Sequence, residues 1–249
     1  MIAPWPMAII LGTPAVTGID HVPIAVADLD RAAAAYRRLG FTLKPGRPHD
    51  NGIRNLHAKF ADGTELELIT AKAPRDALTR TYSSHLAGGD GPAFLAFYAP
   101  SGAPAADAPG YVFFGTRNRS PTDRPEHFVH PNTAESLVSV WLAGADLSRE
   151  RALLESFGAA FVEREVLVPE LTTAMAARLP EGEVLLLPAS RRLVTGRPIV
   201  GVTLRVRSVA AAKRALADGG VRVRLVDAAP RSVFVAPEAA HGLWIELRE

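Results

Sequence analysis

The chain has 249 residues, 48% of them hydrophobic, and a formal net charge of +2. That is enough apolar material for one large domain or two of ordinary size, and it excludes an extended disordered chain. The arginines are scattered, without the basic block expected of a nucleic-acid binder, and the lack of cysteine excludes disulfides, thiolate metal sites and cysteine nucleophiles.

Residues 1–17 open with MIAPWPMAIILG, which carries Pro4 and Pro6 and no positively charged start. They read as a loose arm and not as a signal peptide or membrane span, and a cytoplasmic location is expected. From residue 18 the pattern becomes regular. Val22, Ile24 and Val26 alternate with His21, Pro23 and Ala25, the period of a strand whose two faces differ. Asp28 or Asp30 can cap a helix whose apolar positions Ala33, Ala34 and Leu39 fall on one side, with Gly40 where a left-handed terminal residue is wanted. A strand is expected to start at Phe41. Asp62-Gly63 then reads as a two-residue hairpin joining NLHAKFA to TELELIT. Because neighbouring strand side chains point oppositely, Asn55 and His57 share one face, and so do Glu65 and Glu67. His21, Asn55, His57, Glu65 and Glu67 are therefore expected to look into one concavity.

Residues 91–130 hold a shortened copy of this pattern. AFLAFY and YVFFGT are credible strands, but SGAPAADAPG stands where the helix belongs, and its prolines and glycines oppose a regular one. AGADLS at 143–148 echoes AVADLD at 25–30, and LVSVWLAGADLSRERALLESFGAAFVEREV begins a third strand-helix-strand unit that TTAMAARL and EVLLLPA complete. A fourth copy starts at Ile199, with strands VGVTLRVRSV, VRVRLVD, SVFVAP and LWIELRE around the helix AAAKRALADGG. Such periodicity means paired units that bury their apolar faces on one another. The fold class expected is α+β: βαβββ modules paired into open, cup-shaped half-barrels, the second module eroded. The first half would span 18–136 (modules 18–71 and 91–130) and the second 137–249 (modules 137–190 and 198–249).

The stretch from Asp20-His21-Val22 to Glu67-Leu68-Ile69 resembles the βαβββ module of the vicinal oxygen chelate superfamily, which includes glyoxalase I and the extradiol dioxygenases. The segment RPEHFVHPN at 124–132 is similar to the connection between halves in its glyoxalase-like branch. The likeness extends over almost the whole chain. It implies a divalent metal (Fe, Mn, Zn or Ni) approached by His21 and Glu67, with His57, Glu65 or, if the first and fourth modules face each other, Glu246 as further donors. At the repeat positions of His21 the other modules carry residues near Phe94, Ser139 and Gly201. At those of Glu67 they carry Val112 or Phe114, Leu186, and Glu246. Only the first module keeps both.

Glu65 and Glu67 on one face would raise each other's pKa unless a cation lies between them, which suits a general base. Asn55, His57 and Arg117 are candidate substrate contacts, with Arg119 following, while His130 belongs to a turn linking the halves. No phosphate loop, nucleophile elbow or zincin helix is present. Two readings follow from the resemblance. One is a lyase, isomerase or dioxygenase acting on a small oxygenated molecule in the His21 and Glu67 cup. The other is a metal-free cup that binds or sequesters such a molecule, with Trp141, Trp244, Phe94 and Phe97 as stacking surface. Neither involves nucleic acid or a membrane, and a homodimer is compatible with both.

Overall fold

The computed structural model describes residues 15–104, 106–226 and 232–249, so most of the expected N-terminal arm lies outside the described residues. The first half runs β1 (Gly18–Ala25), α1 (Leu29–Arg38), β2 (Lys44–Pro45), β3 (Ile53–Lys59), β4 (Glu65–Ala71), α2 (Ala77–Leu86), β5 (Gly91–Pro92), β6 (Leu95–Tyr98) and β7 (Val112–Gly115). The second half runs β8 (Ala134–Gly144), α3 (Ser148–Ser156), β9 (Ala160–Leu167), β10 (Leu171–Arg178), β11 (Glu183–Pro188), β12 (Ile199–Val206), α4 (Val209–Asp218), β13 (Val223–Val226), β14 (Ser232–Val235) and β15 (Trp244–Arg248).

Two mixed sheets result. One has the order β2-β3-β4-β1-β6-β7, with β5 also on β1, and the other has the order β13-β14-β15-β12-β8-β11-β10-β9. In each, the first strands of two modules pair antiparallel at the centre, β1 with β6 and β8 with β12. Each module's first strand also pairs parallel with its last, as β1 does with β4 and β12 with β15. The α+β fold of repeated βαβββ units in two open sheets is thus present, and modules pair with their neighbours in sequence. The first and fourth modules do not face each other across a shared cup.

Local chemistry explains the elements. Asp28 accepts hydrogen bonds from the backbone N–H groups of Asp30 and Arg31, both at 3.0 Å, and so caps α1. The buried face of α1 is Leu29, Ala32, Ala33, Ala35 and Tyr36, while Ala34, expected inside, is exposed because the 3.6-residue period carries it to the solvent side. Gly40 adopts φ +82°, the left-handed turn that ends the helix. The strand expected from Phe41 pairs only at Lys44 and Pro45. The hairpin between β3 and β4 closes with Phe60 opposite Thr64 and three residues between them, not two, with Gly63 at φ +92°. As expected, 101–110 holds no helix among its described residues. The helix α2 was not expected, although Asp76 and Thr79 form a reciprocal capping box at its start.

One apolar core joins residues of both halves, including Tyr36, Phe60, Leu68 and Phe97 of the first with Val140, Leu154, Val202 and Leu247 of the second. The concave faces differ. In the second sheet an apolar cluster of Trp141, Leu185, Leu187, Val200 and Phe234 fills one end, Trp141 lying so close over Gly201 that an added Cβ would meet its ring at 2.1 Å, and a smaller cavity of about 280 Å³ remains beside Glu183, Ser232 and Glu246. In the first sheet α2 covers only one end, where Tyr82 and Phe94 pack on Ala25, Ile53, Ile69 and Ala71. The other end stays open and polar.

Candidate functional site

That open end is a cavity of about 470 Å³ lined by His21, Asn55, His57, Glu65 and Glu67 from the strands, together with Arg47, His49, Asn118 and Arg119 from loops. The register explains why the five strand residues converge: His21 lies beside Glu65, and His57 lies opposite Glu67, so their pleats project the same way. His21 Nδ1 is 2.6 Å from Asp20 Oδ1, and its Nε2 faces Glu67 Oε2 at 3.7 Å. Asn55 donates to the other Glu67 oxygen at 2.5 Å. His57 Nδ1 lies 3.0 Å from Glu65 Oε1, and Asn118 Nδ2 reaches both Glu65 oxygens at 3.2 and 3.3 Å.

Burial by itself would lower the pKa of His21. The hydrogen bond to Asp20 and the charges of Glu67, Glu65 and Asp20 outweigh that and raise it above its ordinary value. The ring therefore carries more positive charge near neutral pH than a free histidine, and Asp20 fixes Nδ1 as the protonated nitrogen on its own side. Phe113 packs edge-on against the ring, with centroids 5.2 Å apart.

A strap of residues 116–123 closes one side. Lys59, 2% exposed, extends from β3 to Asp123 at 2.8 Å and to the carbonyl of Asn118, and Lys44 reaches the same carboxylate at 3.3 Å. These ammonium groups and the Ser120 N–H overcome the effect of burial and hold the Asp123 carboxyl down at about 2.

Several of the sequence expectations need correction. Arg117 is not a wall of the cavity. Its backbone sits at φ +68°, its N–H donates to Asp20 Oδ2 at 2.7 Å, and its guanidinium is taken by Glu181 at 2.6 Å, the Asp62 carbonyl at 3.0 Å and the Tyr98 ring at 4.4 Å. Glu246 stands at the fourth module's counterpart of Glu67, since Thr203 lies beside it as Pro23 lies beside Glu67, but it belongs to the other sheet. There it accepts from Ser232 at 2.6 Å and Thr203 at 2.7 Å. In the third module, with Ser139 at the place of His21, Leu185 and not Leu186 falls at the register of Glu67. Trp141, Trp244, Phe94 and Phe97 pack in apolar clusters and do not line the cavity. His130 takes a structural place, accepting from Thr42 N–H and bonding the Lys59 carbonyl at 2.9 Å.

Arg47, Asn118 and the partner role of Asp20 carried no signal in the sequence. The first two sit on loops whose course depends on long-range contacts, and Asp20 reads as a routine strand residue.

The donor set also tests the implied metal. His21 Nε2 and Glu67 Oε2 are close enough to share an ion with ligand distances of about 2.0 to 2.2 Å, and Asp20 and Asn55 support them from behind. A catalytic ion usually needs a third protein donor. Glu65 is engaged by His57 and Asn118, the second module contributes Phe113 to this region, and no group of three or more His, Asp or Glu residues able to hold an ion occurs among the described residues. The residues present do not fit a tightly held resident metal.

Four modules in two open sheets, with a polar cup on β1, β3 and β4, define a protein with the vicinal oxygen chelate fold. Residues 19–108 match the family model described as a glyoxalase-like domain. Solved structures agree on the fold. A variant of 4-hydroxymandelate synthase from Streptomyces coelicolor aligns over 94% of this chain and 93% of its own, with a TM-score of 0.63 and 15% identity. A variant of homoprotocatechuate 2,3-dioxygenase from B. fuscum aligns over 96% of this chain and 73% of its own, with a TM-score of 0.61 and 13% identity. A xylose isomerase-like TIM barrel/4-hydroxyphenylpyruvate dioxygenase fusion protein aligns over 99% of this chain, with a TM-score of 0.61 and 14% identity, and this chain spans 52% of its length. A sequence search of curated proteins returned no match. Among the described residues no helix is long and apolar enough to cross a membrane.

Proposed function

We propose that this chain is a glyoxalase-like vicinal oxygen chelate protein that moves a proton on a small oxygenated molecule held in the His21 and Glu67 cup. The observation that carries this is the Asp20–His21–Glu67 alignment, in which a histidine backed by one carboxylate faces a second across 3.7 Å at the inner end of a cavity. Glu67 would remove a proton from a carbon beside a carbonyl, while His21 Nε2–H donates to the carbonyl oxygen and stabilises the enol. Return of the proton to a different position gives an isomerase, and loss of a group from the neighbouring carbon gives a lyase. Asn55 holds the Glu67 carboxylate in place, and His57 and Asn118 fix Glu65 beside it. Dioxygenase chemistry is set aside because the donor set does not complete a metal centre.

The alternative is a cup that only sequesters its ligand. The second sheet, where Ser139 and Leu185 stand in place of His21 and Glu67 and Trp141 and Phe234 pack in an apolar cluster, favours it.

Deuterium exchange distinguishes the two. Glu67→Gln and His21→Ala should each abolish enzyme-dependent exchange at the carbon beside the carbonyl in D2O across a panel of small oxo-compounds. Wild-type protein that binds such a compound without exchanging it would leave the sequestering cup as the account. Stoichiometric tight uptake of Fe, Mn, Zn or Ni that His21→Ala eliminates would replace the metal-free reading with a metalloenzyme.

A further inference from the structure

The cavity is charged oppositely at its two ends. Its inner end holds the buried carboxylates Glu65 and Glu67, with Asp20 behind His21. Its outer end holds Arg47, on the loop after β2, and Arg119, on the strap, both exposed. The other cations nearby already have carboxylate partners, Lys44 and Lys59 sharing Asp123 and Arg117 on Glu181. Among the described residues neither Arg47 nor Arg119 has a carboxylate partner.

The position of Arg47 is built in. Gly46 N–H donates to the Asn55 carbonyl at 3.0 Å, and a Cβ at residue 46 would lie 1.8 Å from Asn55 Oδ1, so only glycine lets this loop lie on β3 beside the mouth. Arg119 is held on the far side because Lys59 and Ser120 N–H tie the strap to Asp123. Asn55 Oδ1 and His49 Nε2, both in cavity-lining residues, are buried without a protein partner. Groups of that kind are normally satisfied by water or a ligand.

Resting on the acid–base reading above, we propose that the molecule taken up here carries a carboxylate held at the mouth between Arg47 and Arg119, with its neighbouring oxygens directed inward to His21. The planar guanidinium fork matches a carboxylate. The same fork matches phosphate, but a second negative charge would be repelled by Glu65 and Glu67 across a cavity of this size. An anion cannot favourably occupy the inner end, so the charged group faces out and the C–H and carbonyl face Glu67 and His21. That orientation presents the acidic carbon to the proposed base.

The test is an NMR titration of the full chain with pyruvate, with its neutral isostere pyruvamide, and with inorganic phosphate, following the His21 ring and the amides of Gly46, Arg47, His49 and residues 117–120. Pyruvate should bind at least about tenfold more tightly than pyruvamide, and added salt should narrow the difference. Arg47→Gln and Arg119→Gln should each weaken pyruvate about tenfold and leave pyruvamide unchanged. Because both side chains are exposed, these variants keep the fold. Equal binding of pyruvate and pyruvamide overturns the carboxylate assignment while leaving the acid–base cup standing. Phosphate binding more tightly than pyruvate overturns it in favour of a phosphorylated ligand. If none of the three compounds perturbs His21, both proposals fall.

Discussion

Asp20 is nearly inaccessible, yet both of its oxygens are used, one by His21 Nδ1 at 2.6 Å and the other by Arg117 N–H at 2.7 Å. Gly115 packs against the same carboxylate, where a Cβ would come within 2.8 Å. Asp20→Asn preserves the shape but replaces one acceptor oxygen with an amide NH2, so one of the two donors must face another donor. The expected outcome is a lower His21 pKa in an NMR titration and a stability loss of about 1–3 kcal/mol. An unchanged His21 titration would show that Asp20 does not govern that ring. His130 behaves in the opposite sense. Burial, partly offset by its bond to the Lys59 carbonyl, lowers its pKa. Its folded value lies below the unfolded one, so its contribution to stability is complete above about pH 6.5 and is lost as pH falls through the lower folded value. Denaturant midpoints measured from pH 7.5 down to 5 should fall less steeply in His130→Gln than in the wild type.

Between elements, the strap depends on one carboxylate serving two lysines. Asp123→Asn leaves the Lys59 ammonium buried beside a neutral group, for an expected loss of about 3–5 kcal/mol in denaturant unfolding. The folded pKa of Asp123 is depressed to about 2, so its contribution is present above the unfolded value near 4 and is lost as pH falls toward 2. The wild-type stability curve should therefore be steeper than that of Asp123→Asn across that window, and parallel curves would rule out this role. Nothing in the sequence near 123 points to this contact, because Lys59 and Asp123 meet across 64 residues of chain. The strand faces of His21, Asn55, His57, Glu65 and Glu67 were legible because a period of two fixes them locally. The helix α2 could have been found from Asp76 and Thr79, but the short, polar stretch around them does not show a strong apolar period. Arg117 misled because strand position alone cannot tell which way a residue at positive φ will send its side chain.

At the scale of the molecule, a single core and several polar contacts tie the sheets together. Thr64 Oγ1 accepts from Leu137 N–H at 2.9 Å, Ser136 bonds Asp62, and Asn132 donates to the Leu39 carbonyl at 2.9 Å. Unfolding should be one cooperative transition that far-UV and tryptophan signals report alike, and two resolved transitions would show that the halves are independent. The repeat announced four modules in the sequence. Which modules would share a sheet was not readable, because sheet order depends on contacts between units that look alike. Which cup would be the larger turned on bulk: Trp141 fills one end of the second, and Pro23 stands at its place in the first. Trp141→Ala should cost about 3–5 kcal/mol and leave His21 chemistry unaltered, as read by its NMR titration.

The turn between β10 and β11 reaches back to the strand that carries His21. Glu181 exchanges backbone bonds with Thr17 and Ile19, at 2.8 and 3.2 Å, and lies so close to Gly18 that a Cβ there would come within 2.3 Å of its carbonyl. Every residue lining the His21 cavity lies between positions 21 and 121. On the ribosome those residues are made well before Glu181, so a nascent chain halted at residue 150 contains the whole cavity lining but lacks the bonds of Glu181 to Thr17 and Ile19 and the acidic partner of Arg117. Arrested chains of increasing length should gain protection of the Ile19 amide only after the segment around 181 has cleared the exit tunnel, which makes the second half a late-arriving latch on a site to which it contributes no lining residue.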